Sequence, residues 1–334
     1  MQVTFLALAL VQLTLQPLEP ERLEKSGYQQ TQAGNYRYRI EHSRDGIGET
    51  PIASFALSDR SDRLLVRLER PGEDDFLVSD AGWFVGVMAI PGNCHLTFYD
   101  IQGRALARRE FSRSFNYGFS PSGNRLYVNT REGLLAYDAQ GRVVAQCGAG
   151  SWFLVSPDER LVAVVQADLI SVFSADFADY TDSNLRKSVQ SVDRFHFRLG
   201  SLLFRDLAFS EDGQFLAVVE RSTVSLYSLG TVPEFSLRKP GTVSSISRLW
   251  RQELDPGTSL LRVAVSSDGA VYVGGEQGSV ADSGFLSVLR DGKEVTRAGI
   301  PYFARNEGLV SVAVEGKEVI VKTSDHSFIV RGMP

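Results

Sequence analysis

One phrase recurs along this chain: an apolar run, a serine, a polar turn with Gly or Asp, and a second apolar run. It reads FLVSDAGWFVGV at 76–87, YGFSPSGNRLYV at 117–128 and FLVSPDERLVAVV at 153–165. It returns as LAFSEDGQFLAVV at 207–219, as VAVSSDGAVYV at 263–273 and, degenerate, as VAVEGKEVIV at 312–321. Apolar runs this short, broken by Gly, Asp and Asn, make antiparallel strands with tight turns. One such hairpin cannot bury itself, so a series of them has to stack copy on copy.

The fuller unit has four strands. FNYGFS, NRLYVNT, GLLAYDAQG and RVVAQC occupy 115–147, after DFLVS, WFVGVMA, LTFYDIQG and RALARRE over 75–110. The third strands end alike, in Tyr99-Asp100-Ile101-Gln102-Gly103 and Tyr137-Asp138-Ala139-Gln140-Gly141. The landmark serines Ser79, Ser120, Ser156, Ser210 and Ser266 are spaced by 41, 36, 54 and 56 residues, and Glu315 follows 49 further on. The short intervals match a propeller blade of roughly 40–50 residues. The long ones call for insertions, at 174–193 and at 238–259. Within the second, SSISRLWRQEL at 244–254 reads as a short amphipathic helix.

Counting landmarks predicts an all-β propeller of six four-stranded blades, with seven as the alternative. The last unit shows three strands, so its open edge needs a fourth. The region 36–57, with Tyr36, Tyr38 and Ile40 alternating, is expected to supply it. A chain starting at residue 30 is then expected to fold, and one starting at 72 to fail. The domain reading is an apolar signal-like segment at 1–16, a linker at 17–34 and a single propeller over 35–334.

The S-x-D-G turns (Ser210-Glu211-Asp212-Gly213, Ser266-Ser267-Asp268-Gly269) and the tyrosine-bearing third strands resemble the WD40-like and YVTN-type β-propeller superfamily. The resemblance covers about 50–334. It implies a rigid scaffold that presents loops. WD40 repeats usually carry Trp-Asp at the end of the third strand and Gly-His before the blade. This chain has Tyr-Asp twice and no Gly-His, so the resemblance does not carry over that family's inter-strand network.

Composition narrows the function. A net charge of -5 with 22% charged and 43% hydrophobic residues is that of an ordinary globular chain and gives nucleic acid no concentrated basic surface. MQVTFLALALVQLTLQ has the length of a secretory h-region and is too short to span a membrane, but it carries no Lys or Arg before the apolar run. A cleaved leader would place the protein in the periplasm or outside the cell; otherwise it is cytoplasmic. No later segment reaches spanning length. Cys147, in VVAQC, reads as a core residue, and Cys94, in the turn PGNC, as exposed and unpaired with it.

No catalytic set emerges. His42, His95, His196 and His326 are isolated. Asp176, Asp179 and Asp182 lack calcium-loop spacing, and Glu73-Asp74-Asp75 reads as a solvated acidic loop. There is no G-x-S-x-G elbow and no P-loop, and the serines have turn duty. Trp83 and Trp152 are expected to pack between blades. Arg238, Lys239, Arg248, Trp250 and Arg251 interleave cations with an aromatic ring and form the candidate partner-binding surface. The function expected is a noncatalytic, monomeric scaffold that binds protein or peptide and needs no cofactor. The alternative is a propeller enzyme of lyase, hydrolase or quinone-dependent oxidoreductase type, with its site at a central funnel.

Overall fold

The structure is a computed structural model. It describes residues 14–17, 29–31, 34–42, 52–69, 72–90, 93–111, 114–174, 195–198, 204–231, 243–255, 257–277, 284–300, 309–316, 318–323 and 327–331. Among these residues, 28 strands form seven four-stranded antiparallel sheets, with no helix. The chain falls into two compact units.

Four sheets lie in the unit formed by Pro20–Arg198 and Pro233–Thr242. Sheet 1 holds β2 (Gln29–Gln30), β3 (Tyr36–His42), β4 (Ile52–Asp59) and β5 (Leu64–Glu69). Sheet 2 holds β6 (Asp75–Val78), β7 (Trp83–Ile90), β8 (Asn93–Asp100) and β9 (Ala105–Phe111). Sheet 3 holds β10 (Ser114–Phe119), β11 (Leu126–Thr130), β12 (Gly133–Tyr137) and β13 (Val143–Cys147). Sheet 4 holds β14 (Trp152–Val155), β15 (Leu161–Gln166), β16 (Leu169–Ser174) and β17 (Phe195–Arg198).

The other unit is formed by Met1–Glu19, Leu199–Val232 and Val243–Pro334. Its sheet 5 holds β18 (Phe204–Phe209), β19 (Phe215–Glu220), β20 (Thr223–Thr231) and β21 (Val243–Glu253). Sheet 6 holds β22 (Thr258–Val265), β23 (Val271–Gln277), β24 (Gly284–Arg290) and β25 (Lys293–Gly299). Sheet 7 holds β26 (Leu309–Glu315), β27 (Glu318–Thr323), β28 (Ser327–Arg331) and, paired to β28, β1 (Thr14–Pro17).

Three expectations need correction. Among the described residues the sheets number seven, the alternative count in place of six, because Tyr36–His42 and Ile52–Asp59 join Gln29–Gln30 and Leu64–Glu69 in a sheet of their own. The fourth strand of the last sheet is Thr14–Pro17, upstream of the region expected to supply it. Residues 244–254 form no helix. Val243–Glu253 is a strand paired to β20 from Thr231↔Val243 to Thr223↔Glu253, where a partner strand satisfies its backbone groups and overrides local helical preference.

The apolar run of β11 is continuous because that strand is buried along its whole length and covered on both faces. Leu126 and Val128 of β11 pack with Trp83, Leu96 and Phe98 of sheet 2, while Tyr127 packs with Val162, Val164 and Phe173 of sheet 4. Phe55, Phe76 and Phe84 fill the contact between sheets 1 and 2, with Phe55 stacked on Phe76 at 4.1 Å. Cys94 is buried in the sheet 2 cluster, contrary to the exposed turn position expected, because it belongs to strand β8 and points inward with Leu96. Cys147 is buried as expected, and the two cysteines form no disulfide.

The landmark serines are turn fasteners. Each backbone N–H of Ser79, Ser120, Ser156, Ser210 and Ser266 donates to a carbonyl at or just before the start of the next strand, at 2.8–3.0 Å. The Oγ of Ser156 and Ser210 also accepts from the N–H five residues on, at 2.9 Å. Sheet 1 carries a landmark that serine counting passes over. Thr31 N–H donates to the Tyr36 carbonyl and the Thr31 carbonyl accepts from Gly34, as Ser79 does with Trp83 and Gly82.

A second device closes the third turn of sheets 1, 2 and 3. Asp100 Oδ1 accepts from Gln102 and Arg104 N–H, and Arg104 Nε donates to Oδ2 at 2.6 Å. Asp138 repeats this with Gln140 and Arg142, and Asp59 with Ser61 and Arg63. Partial burial alone would raise the carboxyls of Asp59 and Asp100. The N–H groups and guanidinium around each outweigh it and hold them below the usual carboxylate range.

Candidate functional site

The predicted partner-binding residues divide. Arg238 and Lys239 lie outside the described residues. Arg248, Trp250 and Arg251 are on β21, the terminal strand of sheet 5 among the described residues. In register, Arg248 pairs with Tyr227, Trp250 with Leu226 and Arg251 with Ser225, and Leu249 is the extra residue of a β-bulge. Cross-strand partners share a face, so the two arginines leave the face opposite to the tryptophan. Trp250 is half-buried against the cluster of Leu226, Val263, Phe285 and Leu289. The β24–β25 turn sits on it: a Cβ at Gly292, where φ is +71°, would come 3.2 Å from the Trp250 Cβ. The ring is thus spent on packing sheet 5 against sheet 6, while Arg248, Leu249 and Arg251 are exposed. The strand offers two cations, an aliphatic side chain and a run of edge backbone.

A second series sits four residues before the landmark positions, on the first strand of each unit, and is mostly polar. Asp75, Asn116, Trp152, Asp206, Arg262 and Ser311 occupy it. Asp206 Oδ2 accepts from Val263 N–H at 3.0 Å, joining β18 to β22, and Arg262 Nε donates to the Val310 carbonyl at 2.9 Å, joining β22 to β26. Motif reasoning passes these residues over; the signal that finds them is a polar residue at a fixed offset from each serine. Burial pushes the Asp206 carboxyl above its ordinary value, against the pull of the Val263 N–H, the Arg262 charge and the Leu207 N–H.

That direction fixes a pH dependence. A folded-state value above the unfolded one means ionised Asp206 costs stability at neutral pH, and the cost is relieved as pH falls through the folded value. Asp206→Asn keeps an acceptor for Val263 N–H and removes the charge. We expect a higher urea midpoint for the variant at pH 7, with the gap closing as pH falls towards 4. A gap unchanged with pH, or a less stable variant at pH 7, would contradict this.

The other flagged residues have structural surroundings. His95 contacts Arg108 through Nδ1 and lies 3.4 Å from Glu110 through Nε2. The side chains of His42 and His196, and all of His326, Asp176, Asp179 and Asp182, lie outside the described residues. Glu73, read as solvated, is buried. It accepts from Tyr99 O–H at 2.6 Å and occupies the room that Gly86 leaves, where a Cβ would stand 2.5 Å from its Cγ. Burial, then this hydrogen bond, push the Tyr99 phenol up. Trp83 packs between sheets 2 and 3 as expected, and Trp152 is half-buried. Among the described residues no group of three or more His, Cys, Asp or Glu is placed to hold a metal ion. No helix among them is long and apolar enough to cross a membrane.

Seven four-stranded sheets with repeated Ser and Asp turns define the class: this is the fold of the WD40-like β-propeller proteins. The chain is similar to KlHsv2 carrying a Gly-Ser linker in place of loop 6CD, with a TM-score of 0.53 and 10% identity over 91% of this chain and 95% of that one. It is similar to the Hsv2 of Kluyveromyces marxianus, with a TM-score of 0.53 and 9% identity over 88% of this chain and 87% of that one. It is also similar to the β-propeller domain of Cps50 (Swd1) from Myceliophthora thermophila, with a TM-score of 0.52 and 10% identity over 96% and 100% of the two chains. No protein-family model and no curated protein matches the sequence. Identity this low speaks to the fold alone.

Proposed function

We propose that the chain is a noncatalytic, monomeric propeller of seven blades, closed by Thr14–Pro17, that holds a protein or peptide partner. One observation carries this reading. The repeated polar residues are committed to turns and sheet-to-sheet bonds, whereas β21 leaves Arg248, Leu249 and Arg251 unburied on a terminal strand. Exposed side chains on a rigid scaffold, beside edge backbone, are what recognition of an extended segment uses. The likeness to other propellers supports the scaffold; the partner-binding role of Arg248 and Arg251 rests on their exposure.

The test is a charge reversal. Arg248→Glu with Arg251→Glu changes two exposed side chains, so the far-UV spectrum and melting temperature should stay close to wild type. Affinity capture from the source cells should return a reproducible partner with wild type and at least tenfold less with the double variant. Equal recovery by both chains, or no partner for wild type, would overturn the reading.

A further inference from the structure

Asn116 on β10 and Asn129 on β11 are cross-strand partners. Their side chains leave the same face of sheet 3, with Cβ atoms about 5 Å apart. Asn129 is fully buried, and its Nδ2 donates to the Gly150 carbonyl at 2.7 Å. That bond fixes which way the amide is turned, because rotating it would set oxygen against oxygen. The connection bearing Gly150 lies tight on sheet 4: a Cβ there would come 2.4 Å from Val164 Cγ1 and 2.6 Å from the Val165 carbonyl.

Two acceptors result. The Oδ1 atoms of Asn116 and Asn129 are both sealed from solvent, and no protein donor reaches either. The neighbouring side chains of this contact, Tyr127, Phe153, Val162 and Val164, form an apolar cluster. A buried acceptor left unpaired costs about 1–3 kcal/mol, and native folds rarely keep one without a reason. What the pair lacks is two donated protons, one for each oxygen. A water molecule supplies two. A calcium ion asks for six to eight oxygen ligands, and neutral amides bring no charge to hold it.

We propose that Asn116 and Asn129 form the binding site of a resident water molecule between sheets 3 and 4, which donates one proton to each amide oxygen. The water ties the first two strands of sheet 3 to each other beside the Gly150 connection and completes the hydrogen bonding of a fully buried amide.

The experiment has two readouts on the full chain. In a crystal structure at atomic resolution, a water oxygen should lie about 2.6–3.2 Å from both Oδ1 atoms. In water-¹⁷O relaxation dispersion, Asn116→Ala should lose the amplitude of one long-lived water relative to wild type. Asn116 is only half-buried, so the variant should fold, which its circular dichroism and melting curve check. The proposal is overturned if the Asn116 amide is turned so that its Nδ2 donates to Asn129 Oδ1 with no water between. It is equally overturned if a cation with five or more oxygen ligands sits there, or if wild type and Asn116→Ala show equal amplitude.

Discussion

Deleting residues 1–19 should lower the melting temperature by about 4–12 °C. Thr14–Pro17 pairs with β28 over four residues, from Thr14↔Arg331 to Pro17↔Phe328. Without it, β28 becomes the edge of a three-stranded sheet. Phe328 and Val330, both buried to within 2% of completely, then lie on an unprotected strand. Losing the strand forfeits hydrogen bonds of about 1 kcal/mol each and part of the burial of Phe328 and Val330, about 1.5–3 kcal/mol for each side chain fully exposed, against the ordering entropy regained by four residues. A net loss of about 2–3 kcal/mol corresponds to roughly 2–4 °C per kcal/mol in a domain of this size. A chain starting at residue 30 also lacks this strand and should melt early, where the sequence alone predicts intact folding. Calorimetry on the three chains decides the point, and equal transitions for the 1–19 deletion and wild type would remove Thr14–Pro17 from any part in stability.

How far the sequence can be read follows from which residues repeat. The Ser-x-x-Gly turns are legible because the chemistry needs those types there: a hydroxyl to fasten the turn and a residue tolerant of positive φ. Even the exception fits, since Glu159 takes the glycine's place at φ +57° and its carboxylate accepts from Ser122 N–H. The first sheet is hidden because Thr31 does the serine's work and β2 is two residues long. The aspartate turn is visible twice as Tyr-Asp-x-Gln-Gly, though its working parts are the Asp and the Arg four residues on. Asp59 and Arg63 share those parts without the tyrosine or the glycine, Asp62 taking the positive φ at +62°. The candidate binding strand misleads a local reading because helix and edge strand can share one apolar pattern, and only the partner β20 decides between them. Which side of it each cation takes depends on a one-residue bulge at Leu249, which composition does not encode.

Replacing Gly123 by alanine should cost about 3–5 kcal/mol, the largest single-residue effect we expect. Gly123 closes the β10–β11 turn at φ +74°, and its carbonyl accepts from both Ser79 Oγ at 2.6 Å and Trp83 Nε1 at 2.9 Å. These bonds fasten the serine turn of sheet 2 to that of sheet 3. A Cβ would stand 2.4 Å from Ser79 Oγ, 3.0 Å from Asp80 N and 3.1 Å from Ala81 N. Two of those neighbours are backbone. The third is a buried hydroxyl, already held by Ala81 N–H at 2.9 Å, so none can step aside cheaply. Gly72→Ala in the same unit is the control. Its φ is +83°, yet the only neighbour within 4 Å is the flexible end of Met88 at 3.8 Å. That variant should show the backbone cost alone, roughly 1–2 kcal/mol. The difference between the two variants in urea midpoints then measures the contact between turns. Adding Ser79→Ala should return part of the Gly123→Ala loss, on the order of 1 kcal/mol as a coupling term. If both glycine variants cost the same, or if the coupling is nil, the two serine turns are not fastened to each other through Gly123.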